Sequence, residues 1–125
     1  MDTNKLNINI KTTNLELTEA LRAYAEDKIG QIQRHFGKDP INIDIELEYM
    51  PAHHSGPVFR CEINVEMPGQ KSMLRADSTE SDMYAAIDTC IPKIKEQLDK
   101  QRDRRDTRIR RGGRAFKEML RRFWE

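Results

Sequence analysis

Apolar residues recur along this chain with two different periods, and the switches between them mark out six elements. Leu6, Ile8 and Ile10 alternate with Asn7, Asn9 and Lys11, the period of a half-buried strand. Leu21, Ala25, Ile29, Ile32 and Phe36 then recur every three or four residues, which predicts a helix with one apolar stripe. Thr18 is placed to cap it, Glu19 suits its dipole, and Gly37 with Pro40 beyond ends it. Alternation returns in Ile41, Ile43, Ile45, Leu47 and Tyr49, set against Asn42, Asp44, Glu46 and Glu48. Phe59, Cys61, Ile63 and Val65 repeat it against Arg60, Glu62, Asn64 and Glu66, after a loop from Pro51 to Pro57. Met67, Pro68, Gly69 and Gln70 predict a turn, followed by a short strand over about Ser72 to Ala76 with Leu74 and Ala76 inward.

Ser81 or Asp82 can cap a second helix, whose apolar stripe is Met83, Ile87, Cys90, Ile91, Ile94 and Leu98. Pro92 interrupts this stripe without breaking its phase, so a kink is expected rather than a stop. Past Leu98 the seam positions become Gln101, Arg102, Arg105 and Arg108, and the helix should leave the core. The order β-α-β-β-β-α predicts an α+β fold in two layers. Both helices pack on one face of a four-stranded sheet whose other face is wet.

A chain of 125 residues suffices for one core. One domain is expected over residues 1–105, followed by a basic extension over 106–125. Within the extension, Phe116, Met119, Leu120, Phe123 and Trp124 fall at helical spacing among Lys117, Arg121 and Arg122. That pattern suits docking on a protein, on a membrane surface, on the parent domain or on a twin subunit.

Charge changes the picture further. The net charge of +1 conceals an asymmetry. Residues 100–125 hold eleven basic and four acidic side chains, net +7, whereas residues 1–99 hold eleven basic and seventeen acidic, net −6. An acidic body with an arginine-rich arm points to a nucleic-acid partner, because guanidinium matches phosphate geometry. Lys93, Gln97, Lys100 and Arg104 share one helical stripe beside the apolar seam, with Lys95 and Arg102 on its other flank. Arg108, Arg110, Arg111, Gly112, Gly113 and Arg114 form a short relative of arginine-glycine segments that bind single-stranded RNA.

Signals of catalysis are lacking. His53 and His54 are an isolated pair in a loop, and no zinc spacing, nucleophile elbow or phosphate-cradling loop occurs. Asp44, Glu46 and Glu48 are accounted for as the solvated side of a strand. Cys61 and Cys90 fall on apolar faces and read as buried thiols in a reducing cytosol. No cofactor is implied, no stretch is apolar enough to span a membrane, and the N-terminus lacks a signal-peptide pattern.

Several segments resemble the ribosome hibernation-promoting factors, also called ribosome-associated translation inhibitors. They are Leu6-Asn7-Ile8-Asn9-Ile10, Leu17-Thr18-Glu19-Ala20-Leu21-Arg22, Lys28 and, most specifically, Asp82-Met83-Tyr84-Ala85-Ala86-Ile87-Asp88. Lys93, Gln97, Leu98, Lys100, Arg102 and Arg104 continue the likeness, which covers residues 6 to about 105. The resemblance implies the same β-α-β-β-β-α fold and a cytoplasmic protein that binds the small ribosomal subunit. It would occupy the messenger and transfer RNA channel near the decoding centre and protect idle ribosomes during stress. It implies that Arg22, Lys28, Lys93, Lys100, Arg102 and Arg104 face ribosomal RNA; Arg105, Arg108, Arg110 and Arg111 are added on charge alone. Pro92 and Glu96 depart from the family pattern, and the chain looks like a short form without the ribosome-pairing domain of longer members. The alternatives are a double-stranded RNA-binding module and a protein-interaction module acting on transcription machinery.

Overall fold

The computed structural model describes residues 6–51, 58–69 and 73–124. His53 and His54 lie outside the described residues. Strand β1 (Ile8–Thr13) leads to helix α1 (Glu19–Gln31), which tightens into a 3-10 turn at Gln33–Phe36. Strands β2 (Asn42–Met50), β3 (Val58–Glu66) and β4 (Leu74–Glu80) follow, and helix α2 (Met83–Trp124) completes the chain.

The strands lie in sequence order, with β1 parallel to β2 and the other two pairings antiparallel. Parallel neighbours require a crossover, and α1 supplies it. Register aligns Ile10, Ile45, Ile63 and Ala76 in one row across all four strands. Ile45, Ile63 and Ala76 are buried together with Leu21, Ala25 and Ile29 of α1 and Met83, Ile87, Ile94 and Leu98 of α2. Both helices therefore cover one face, as the alternation predicted. The Lys11, Glu46, Glu62, Asp77 row lies on the other.

Local signals hold where they were read. The Thr18 hydroxyl accepts from the Leu21 amide at 3.1 Å, and Asp82 Oδ2 accepts from the Ala85 amide at 3.1 Å, which makes Asp82 the cap of α2. Gly37 (φ 71°) ends the helical segment. Gly69 (φ 76°) follows Pro68 as a type II turn requires. The stripe of α1 runs on to Phe36, but the last turn is 3-10 rather than α.

The fourth strand differs from its expected bounds of about Ser72 to Ala76. It spans Leu74–Glu80, and its inward positions continue from Ala76 to Ser78. Ser78 is buried opposite Cys61, and its hydroxyl bonds Thr89 of α2. A polar residue in the core row hid the strand's second half, because the hydroxyl pair replaces the apolar contact that alternation looks for.

Helix α2 is 42 residues long, about 63 Å at 1.5 Å per residue. It continues through Pro92 and through Gly112 and Gly113. Pro92 is exposed, where water can reach the backbone groups that the ring leaves unpaired. Beyond Leu98 no described residue of α2 is buried.

Candidate nucleic-acid interface

Helix α2 presents two polar flanks on either side of its buried stripe, and each is organised differently. One runs along β4, the edge strand, whose outer backbone groups have no strand to pair with. Lys93 Nζ donates to the Asp77 carbonyl at 2.9 Å. Gln97 Oε1 accepts from the Arg75 amide at 3.1 Å, while its Nε2 donates to the Arg75 carbonyl. Lys93 and Gln97 thus seal the edge of the sheet. Lys100 and Arg104 continue this flank where the helix has left the core. Lys100 pairs with Glu96 at 3.2 Å, with both side chains about two-thirds exposed. Such a pair contributes only about 0.3–0.5 kcal/mol, so a phosphate can displace it. Arg104 is exposed, and no ion pair engages it among the described residues.

The other flank faces α1. Tyr24 donates its phenol proton to Asp88 Oδ1 at 2.5 Å, and Lys28 Nζ lies 3.6 Å from the same oxygen and 5.3 Å from the centre of the Tyr24 ring. The hydrogen bond to Asp88, then partial burial and the charges of Asp88, Asp82 and Asp27, push the Tyr24 phenol up to about 12. Tyr84 meets the Tyr24 ring edge-on, with centroids 4.9 Å apart at 85°. Further along, His35 Nδ1 lies 3.0 Å from Asp99 Oδ1, which Arg102 approaches at 3.4 Å. The His35 hydrogen bond, aided by the charges of His35, Arg102 and Lys95, holds the Asp99 carboxyl below its usual range against a smaller effect of burial.

The predicted cations therefore do not form one surface. Lys93, Lys100 and Arg104 share the β4 flank of α2, and Arg102 lies on the α1 flank. Lys28 sits in the seam between the helices at 28% exposure. Arg22 pairs with Glu26 at 3.8 Å on the side of α1 away from Lys28. Arg105, Arg108, Arg110 and Arg111 belong to α2 by backbone, and their side chains lie outside the described residues.

The open face of the sheet offers little to phosphate. Glu62 is its most enclosed ion, 8% exposed, held by Arg60 (2.8 Å) and Arg75 (2.8 Å from Nε) and by Asn64 (3.3 Å). Burial favours its neutral form, but the three donors outweigh burial and hold its carboxyl below the usual range. Glu62 in turn overcomes the burial of Arg60 and raises that guanidinium further. Two of this face's cations are thus committed to carboxylates, and Asp44, Glu46 and Glu48 leave it acidic. On the helix side of the sheet, Cys61 and Cys90 are buried free thiols. Contact with Cys90 and burial push the Cys61 thiol up, away from reactivity. Among the described residues no group of His, Cys, Asp and Glu is placed to hold a metal, and no helix is long and apolar enough to cross a membrane.

Sequence reasoning missed the Tyr24, Tyr84 and Asp88 cluster. Its one local trace is the four-residue spacing of Tyr84 and Asp88, which puts both on one side of α2.

The helix-covered sheet with a cation-bearing final helix is the architecture of a ribosome-associated class of proteins. Residues 8–106 match the family model described as Sigma 54 modulation protein / S30EA ribosomal protein, and the chain belongs to that family. A ribosome hibernation promotion factor of Lactococcus lactis subsp. cremoris is 31% identical over 110 residues, covering 84% of this chain and 54% of that protein. The factor of the same name from Staphylococcus aureus is 32% identical over 100 residues, covering 80% and 50%. The chain thus spans about half the length of these curated relatives. Among solved structures, the Thermus thermophilus Protein Y N-terminal domain is similar with a TM-score of 0.62 and 28% identity, over 76% of this chain and 98% of that one. A ribosomal subunit interface protein from Coxiella burnetii gives a TM-score of 0.64 and 27% identity, over 78% and 99%.

Proposed function

We propose that this protein is a hibernation factor that binds the small ribosomal subunit, lies in the messenger and transfer RNA channel near the decoding centre, and keeps idle ribosomes from translating. The observation that carries the reading is the exposed set Lys95, Lys100, Arg102 and Arg104, on the part of α2 that emerges from the core of a member of this family. Charge-assisted contacts from these groups to phosphates would hold the domain, and the shape of folded RNA would select the site. Inhibition is then steric and needs no catalytic group. Arg22, and Arg105, Arg108, Arg110 and Arg111 of the arm, extend the contact in this reading. Residues 1–105 would form the ribosome-binding unit and 106–125 an appended arm, with α2 crossing the boundary unbroken.

Co-sedimentation with vacant ribosomes on a sucrose gradient tests the proposal. The protein is expected to travel with the small subunit, to be displaced by transfer RNA, and to resist competition by plain duplex RNA. Replacing Lys100 and Arg104 together by glutamate should weaken binding at least about tenfold, since each lost phosphate contact also lowers the salt dependence. Protein left at the top of the gradient, or an affinity flat across roughly 50–200 mM salt, defeats the reading.

A further inference from the structure

We infer that Tyr84 is a stacking platform for an unpaired base of RNA, an inference that rests on the ribosome-binding reading above. Tyr84 is 39% exposed, although Met83, Ala86 and Ile87 around it are buried. Its ring does not swing freely in water. It sits edge-on to Tyr24, whose hydroxyl is fixed by Asp88 and whose ring lies beneath Lys28. A ring supported in this way can receive a flat partner at little entropic cost.

The neighbouring charges decide what kind of partner fits. Asp88 is already engaged by the Tyr24 hydroxyl and by Lys28, Asp82 caps the Ala85 amide, and Asp27 accepts from Gln31 Nε2 at 3.1 Å. None of these carboxylates is left to grip an incoming arginine or lysine, so a cationic segment of a protein would find a ring and little else. Together they repel a phosphate from the immediate surroundings of the ring. A neutral aromatic face meets neither objection. Phosphates on either side of such a base have cations to meet on the same flank of α2: Lys95 and Arg102 lie about 16 and 27 Å along the axis from Tyr84. Stacking of this kind tolerates any base, and in folded RNA it selects nucleotides splayed out of helices.

The test is equilibrium binding of the full chain, Tyr84→Leu and Tyr84→Phe to purified small subunits over a salt series. Tyr84→Leu should weaken binding about tenfold with an unchanged salt slope, and Tyr84→Phe should bind like the parent. A photoreactive benzophenone side chain in place of Tyr84 should crosslink to RNA. Three results overturn the inference while leaving the ribosome reading intact: unaltered binding by Tyr84→Leu, an equal loss in Tyr84→Phe, or crosslinks confined to protein. Failure of the parent chain itself to bind overturns both.

Discussion

Lys28 shows how a single side chain changes meaning once its neighbours are known. In the sequence it is a cation on a helix. In the fold it is one corner of a cluster with Tyr24 and Asp88, which lies 60 residues further along the chain. The cluster makes a clear prediction at high pH. The Tyr24 phenol should titrate near 12 by phenolate absorbance, the transition being assigned by its loss in Tyr24→Phe, and Asp88→Asn should bring it back toward 10. Because the folded value lies above the unfolded one, the contact's contribution to stability is complete below about pH 10 and is lost between about 10 and 12. A transition in the parent already at 10 would show that the hydrogen bond does not form. Thr18 and Asp82 were legible in advance because a cap bonds an amide three residues away. Tyr24, Lys28 and Asp88 were not, because a contact between helices depends on where the sheet places them.

At the scale of elements, α2 does two jobs with one continuous backbone. Its first four turns fill the core, and the remainder carries charge beyond it. Pro92 lies in the packed part, and its ring removes one hydrogen bond where the helix can least lose it. Pro92→Ala should therefore raise stability by about 1–3 kcal/mol in denaturant unfolding. A loss of stability would mean that the geometry at Pro92 is required for Ile91 and Ile94 to reach the core. The two apolar stripes and the inner rows of β2 and β3 were readable because each follows one period throughout. The second half of β4 was not, since Ser78 occupies an inward position and its partner Thr89 belongs to a different element. The stripe of Lys93, Gln97, Lys100 and Arg104 was read correctly as a stripe. Its first half proved to bind the sheet edge, a task that the sequence of a helix does not announce.

Over the whole molecule, charge and packing divide differently. The acidic surface belongs to the sheet side and the cations concentrate along α2, so the protein is strongly polarised and should orient itself before contact with RNA. The core ends at Leu98, and Phe116, Met119 and Leu120 are exposed. Removing residues 106–125 should accordingly move the thermal midpoint by less than about 4 °C, the change that 1 kcal/mol produces in a domain of this size. A larger drop would show that the arm folds back on its own domain.

The seal on β4 also imposes an order of events during synthesis. Arg75 leaves the ribosome 22 residues before Gln97, the side chain that covers its backbone groups. At roughly 5–20 residues per second that interval lasts about 1–4 s. Throughout it the growing chain carries a naked strand edge, able to recruit a neighbouring nascent copy. The moment at which the last packed turns of α2 emerge is therefore when a new molecule stops being a template for aggregation.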